Sequence, residues 1–318
     1  MIAIVAGLGA ALSWAIATLG SSRSSRMIGP MSVLAWVMIV GFVVSIPPTI
    51  ASLPTLQPMS MAQIAGMAIN GIAGTAGLVL AYHALVIGRV SIVTPIVSTE
   101  GAAAAVASVF LGEALGIPTA VLLGIIAIGV VLASIDRRAD EVAAINAPVV
   151  AVDPDHPNEV VPALTAPQPA ARPRHVREDA AATRRSVLLA IAASIAFSIG
   201  LVISARLGDV PIAWILLTSR ATGVILIAIP LIVRGRLRLS RRALPLVIAS
   251  GVFEVIGAAA YLTGAQASPA MAAVLSSQFA AIAAVSAFIL FGERLARIQI
   301  VGVVVIGVGV AVLAVIRA

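Results

Sequence analysis

Apolar stretches of roughly 20 residues, separated by short polar breaks, fall near 2 to 20, 30 to 52, 61 to 87, 90 to 111, 117 to 135, 186 to 205, 211 to 233, 243 to 265, 268 to 291 and 298 to 316. Each is long enough to cross a hydrocarbon core as a helix, and none alternates polar with apolar positions as a barrel strand does. The pattern predicts an all-α polytopic membrane protein of ten transmembrane helices. The first stretch resembles a secretory signal by position. It lacks a basic start, however, and Arg23 and Arg26 follow where a cleavage site would end, so it reads as a retained span.

One segment breaks the rhythm. Residues 136–185 carry Pro148, Pro154, Pro157, Pro162, Pro167, Pro169 and Pro173 among alanines and charges of both signs, which predicts a flexible linker between residues 1–135 and 186–318. The two flanking parts repeat one another. Gly112 and Glu113 match Gly292 and Glu293, Gly124 and Gly129 match Gly302 and Gly307, and Ala35-Trp36 matches Ala213-Trp214. Ser98-Thr99-Glu100 aligns with Ser276-Ser277-Gln278. Five crossings leave the second unit starting on the opposite face from the first, so the two five-helix repeats are expected to be inverted.

Composition excludes a water-soluble fold, because 61% of residues are apolar, 10% are charged and the mean hydropathy is +1.13. The formal charge of +7 does not point to nucleic acid. Every basic residue is arginine, and these lie in short loops as topology signals and anionic-lipid contacts, with no continuous basic face. Seventeen fall after odd-numbered spans, whereas Arg206 and Arg317 lie on the other side, so both termini are expected outside and the linker in the cytoplasm. Without cysteine, disulfides and thiolate chemistry are excluded. No phosphate-binding loop or histidine pair at metal spacing is present, so the sequence implies no enzyme, no metal and no cofactor.

The paired Gly-Glu motifs at Gly112 and Gly292, the "GERL" that begins at Gly292, the glycine-spaced closing spans and a tyrosine near the end of spans 3 and 8 carry a family resemblance. The chain resembles the EamA-type drug/metabolite transporters across both repeats. That resemblance implies a basket of ten helices with a central cavity, and export of amino acids, other metabolites or toxic compounds across a bacterial plasma membrane.

Charges placed mid-span are costly unless paired or hydrated, which makes Glu100, Arg220 and Glu254 the informative residues. Arg220 and Glu254 lie at similar depth and read as an intramembrane ion pair before they read as cargo contacts. Glu100 aligns with the uncharged Gln278 and follows Pro95, Ser98 and Thr99, so it is the leading candidate for substrate or proton coupling. A competing reading pairs it with Arg220 or holds it hydrogen-bonded between helices. Asn70, Ser277 and Gln278 could orient cargo from facing helices.

Gly71, Gly74 and Gly77 read as close-packing positions, His83 as a group meeting water near a span end, and Trp36 and Trp214 as interfacial anchors. Glu113 and Glu293 are expected to make helix-end contacts, with Glu293 and Arg297 spaced for an exposed pair. The partners expected are a small-molecule solute, protons and membrane lipids, with homo-oligomer formation left open. A secondary transporter, proton-coupled and exporting, is the favoured function. A lipid-head-group flippase or a membrane scaffold subunit is the alternative.

Overall fold

In hydrocarbon a backbone amide has no water to bond, so the uncharged Ala-, Val- and Ile-rich runs close their hydrogen bonds within helices. The computed structural model describes residues 1–87, 90–134, 150–152, 160–162, 175–279, 281–282, 285–286 and 297–317. In the first half lie α1 (Ile2–Ile28), α2 (Pro30–Ala51), α3 (Met61–Ile87), α4 (Val90–Val97), α5 (Glu100–Phe110) and α6 (Ile117–Ser134). The second half holds α7 (His175–Ala205), α8 (Ile212–Gly223), α9 (Ile229–Val233), α10 (Leu244–Ala267), α11 (Pro269–Ser276) and α12 (Arg297–Arg317). A π-helical turn, Val224–Ala228, joins α8 to α9.

Six described segments are long and apolar enough to cross a membrane: α1, α2, Met61–Ala84, Ala182–Ala205, Ile212–Val233 and α10. Pro95–Phe110, Ile117–Ala133 and Arg297–Leu313 are shorter apolar helices. The sequence predicts ten full spans, and the difference has a local cause. The fourth is broken in two at Ser98-Thr99, the fifth and tenth are present as the shorter helices Ile117–Ala133 and Arg297–Leu313, and residues 280, 283–284 and 287–291 of the ninth lie outside the described residues.

Two other expectations shift. α1 runs on to Ile28 and takes Arg23 and Arg26 into the helix, with Ser24 Oγ donating to Gly20 O at 2.8 Å and Ser25 Oγ to Ser21 O at 2.7 Å. It ends at Gly29, whose φ of 84° suits glycine, followed by Pro30 at the first position of α2. The segment 136–185 is not wholly irregular. β1 (Val150–Val152) pairs antiparallel with β2 (Val160–Pro162), and α7 starts at His175, where alanines and mixed charges favour helix.

The packing is inside out relative to a soluble protein. Ala10, Ala11, Ala15, Ala272 and Ala273 are buried, while Val121, Ile125 and Ile128 on α6, Ile191, Ile195 and Ile199 on α7, and Val301, Val304 and Val308 on α12 face outward at helical spacing. Large side chains thus meet lipid and small ones let backbones approach. α1 lies along α10 and α3 along α7; α2 packs on α8, α5 on α11 and α6 on α12. At the last crossing a Cβ on Gly302 would overlap Ala133 N and sit 2.7 Å from Gly129 O, so the two backbones touch.

Candidate functional site

The fourth span parts at Ser98-Thr99 because its own side chains take the helix carbonyls. Thr99 Oγ1 donates to Ile96 O at 2.7 Å, and Thr99 N bonds the same oxygen at 3.2 Å, an i to i−3 closure that ends the α-helical ladder. The break falls a turn beyond Pro95, so the hydroxyls and not the proline mark it. In the ninth span α11 stops at Ser276. There Ser276 Oγ donates to Ala273 O at 3.1 Å and Ser277 Oγ to Val274 O at 2.9 Å. The two interruptions lie within one residue of each other in the repeat alignment.

These broken points meet. A Cβ at Gly101 would overlap Ala273 O and lie 2.6 Å from the Ser277 side chain, so α5 crosses α11 at contact distance beside both turns. Ser194 Oγ and Thr99 Oγ1 are 3.0 Å apart, and Ser198 Oγ donates to the main-chain carbonyl of Glu100 at 2.9 Å, tying the break to α7. Glu100 opens α5 and is 8% exposed. Its carboxyl has no hydrogen-bond or ion-pair partner among the described residues, Arg220 included. Ser98, Ser277 and Gln278 are buried around it, and the Gln278 Nε2 has no partner.

Arg220 instead reaches α10. Its Nη2 is 3.4 Å from Glu254 Oε1 and 3.4 Å from Glu254 O, while Nη1 lies 3.8 Å from Met38 Sδ on α2. The Arg220 side chain is 8% exposed against 29% for Glu254, and Nε is buried without a partner. Glu254 is close enough for its charge to act on Glu100 and on Tyr82 of α3. Two carboxyls and one guanidinium therefore share one electrostatic region, with a single ion pair among the described residues.

An aromatic wall, which the sequence reading missed, stands beside it. Trp14 of α1 stacks on Tyr261 of α10 at 6.3 Å between centroids and meets Phe279 edge-on at 6.3 Å. Tyr261 Oη donates to Leu201 O at 2.9 Å, and the Glu100 charge acts on Tyr261. The available signal was a tryptophan in the middle of an otherwise aliphatic span, where a ring with a polar tip needs a specific neighbour.

Other candidates lie apart. Asn70 sits where α3 meets α7, with its Oδ1 3.5 Å from where a Cβ on Gly200 would stand. Gly71 packs on Thr222 and Gly77 on Phe197, but nothing lies within 4 Å of a Cβ at Gly74. His83 is exposed, with Nδ1 2.7 Å from Val79 O. Trp36 Nε1 donates to Arg238 O at 3.0 Å, tying α2 to the loop before α10, whereas the Trp214 Nε1 is buried without a partner among the described residues. Glu113 accepts from Ser268 Oγ at 2.6 Å and Ala270 N at 2.8 Å, capping the start of α11 from the end of the fourth span. Glu293 and its expected pair with Arg297 lie outside the described residues.

Two cavities sit at opposite ends of α1. One of about 460 Å³ is lined by Met1, Ile2, Glu113, Leu115, Ser268 and Met271 among others. The other, of about 530 Å³, lies between the start of α2 and the end of α9. Neither includes Glu100.

No curated protein matches the sequence. Among solved structures, one described only as a crystal structure of a protein superposes with a TM-score of 0.69 at 19% identity, covering 98% of this chain and 96% of that chain, a likeness of fold. The family model described as "EamA-like transporter family" matches residues 1–135 and again 184–315. Together with the long apolar helices, that double match identifies a membrane transporter of small solutes: the chain belongs to the EamA-like transporter family, within the drug/metabolite transporter superfamily.

Proposed function

We propose that the chain is a ten-span secondary transporter made of two inverted five-helix repeats, 1–135 and 186–318, that exports a small metabolite, amino acid or drug-like solute in exchange for protons at Glu100. The observation that carries this reading is a buried carboxyl, without a partner among the described residues, at the point where two broken spans cross. Discontinuous helices whose polar turns meet inside a bundle are how inverted-repeat carriers build a solute site within hydrocarbon. The pairing of helices agrees: exchanging the repeats turns the contact of α1 with α10 into that of α7 with α3, and leaves α2 with α8, α5 with α11 and α6 with α12 unchanged. The two family matches support the same division.

The Glu100 charge acts on Tyr261, which stacks on Trp14, so a protonated amine and a proton compete for one carboxyl, and occupancy by one excludes the other. Ser98, Thr99, Ser277 and Gln278 offer hydroxyl and amide groups at the same crossing, whereas Asn70 stands apart from it on α3. The arginine distribution supports a bacterial inner-membrane protein with both termini outside and the linker in the cytoplasm.

The test is counterflow of labelled amino acids and amines in liposomes with an imposed pH gradient. Wild type should show gradient-driven accumulation, and Glu100→Gln should fold normally yet lose the response to the gradient. Unchanged pH-driven transport by Glu100→Gln would remove Glu100 from the mechanism. Movement of a labelled lipid head group, with no solute counterflow, would favour the flippase.

A further inference from the structure

The 530 Å³ cavity at the far end of α1 plays no part in the path above. Its lining includes Arg234, Arg236 and Arg238 together with Gly29, Pro30, Met31 and Ser32, and it contains no acidic residue. Among the described residues none of the three guanidinium groups has a hydrogen-bond or ion-pair partner. The three are exposed, so solvent weakens their mutual repulsion, but with no counter-charge in the lining the cavity favours an anion.

The remaining wall is suited to one. α2 starts without a side-chain cap, and Met31 and Ser32 of its first turn, whose amides have no partner within the helix, line the same cavity as the arginines. Ser32 Oγ accepts from Arg238 N at 3.2 Å, which keeps its own hydrogen free to donate. The backbone holding the arginines is fixed as well. Arg236 N bonds Leu231 O at 2.9 Å, Gly235 takes a φ of 62°, and Trp36 Nε1 holds Arg238 O. Leading up to Arg234 in the chain, the exposed Leu226, Ile229 and Val233 run along the π turn and α9 as an apolar strip. A free anion has no use for that strip, whereas a lipid has an acyl chain to lay on it.

We propose that this cavity is a binding site for an anionic membrane phospholipid, whose phosphate is held by Arg234, Arg236, Arg238, the start of α2 and Ser32, with its chain along α9. The source is the leaflet in which α1 ends.

Native mass spectrometry of the full chain in detergent, titrated with phosphatidylglycerol, phosphatidylcholine or inorganic phosphate, tests the site. Wild type should retain phosphatidylglycerol in preference to phosphatidylcholine. The triple variant Arg234→Gln, Arg236→Gln, Arg238→Gln should bind phosphatidylglycerol on the order of 100-fold more weakly, while Arg184→Gln with Arg185→Gln, on α7, leaves it unchanged. Should the triple variant fail to fold, Arg236→Gln alone should weaken binding roughly fivefold and Arg236→Lys should restore most of it. Equal binding by the arginine variants and wild type overturns the proposal, as does an equal loss in the α7 control, which would mean a general charge effect. Displacement of the lipid by millimolar inorganic phosphate also overturns it, in favour of a free-anion site.

Discussion

Breaking the Arg220–Glu254 pair should cost stability very unequally depending on which partner is removed. At 3.4 Å and an effective dielectric of about 20 the attraction is about 5 kcal/mol. Water reaching Glu254, which is 29% exposed against 8% for Arg220, reduces the usable part to about 3 kcal/mol. Glu254→Gln leaves a guanidinium that cannot shed its proton, enclosed by Met38 and Gly41 with Nε already unpartnered. That variant should lose about 3 kcal/mol. Arg220→Met leaves a carboxyl that can protonate or draw in water, so it should lose about 1 kcal/mol. The double variant with Glu254→Leu should recover most of the loss. The assay is a double-mutant cycle over Arg220→Met, Glu254→Leu and their double variant, with Glu254→Gln beside it, on the unfolding midpoint of the purified protein in mild detergent, followed by size exclusion after heating. A coupling under about 0.5 kcal/mol, or an Arg220→Met as damaging as Glu254→Gln, would refute this electrostatic reading.

Glu113→Ala should destabilise by about 2 to 3 kcal/mol through loss of two charge-assisted hydrogen bonds at the start of α11, seen as a lower unfolding midpoint, with Glu113→Gln intermediate. Gly101→Val should separate α5 from α11 and abolish solute counterflow, while Gly74→Ala, with open space around its Cβ, should leave folding and transport intact. Gly302→Leu should cost about 3 kcal/mol or more by prising α12 from α6, measured by the yield of monodisperse protein.

The membrane class and the edges of α2, α3 and α10, which fall within two residues of the apolar runs, were readable because solvent choice and hydrogen-bond closure are properties of local sequence. The partnership of residues far apart in the chain was less so. Glu254 is placed against Arg220 by depth alone, and depth proved a sufficient guide to geometry there. The interruption at Ser98-Thr99 was not legible, since hydroxyl back-bonding depends on rotamers that sequence does not display. Trp14 and Tyr261 escaped because stacking needs the α1–α10 contact to be known first. The early start of α7 was hidden by its charges, which suit a helix outside the hydrocarbon as well as they suit a loop.

The π turn at Val224–Ala228 gives this chain a tolerance rare in a bilayer. Ile229 N bonds Val224 O, five residues back, which leaves the Leu226 carbonyl clear of the Pro230 ring. In an ordinary stretch, dropping one amino acid swings everything downstream by about 100° and turns greasy faces toward the wrong neighbours. Here the ladder already carries one surplus rung, so deleting Leu226 would tighten it to regular winding and keep the downstream half facing its present neighbours, at the cost of setting the Pro230 ring against the Ile225 carbonyl. This is the spot where the span could shed a residue without rebuilding its core.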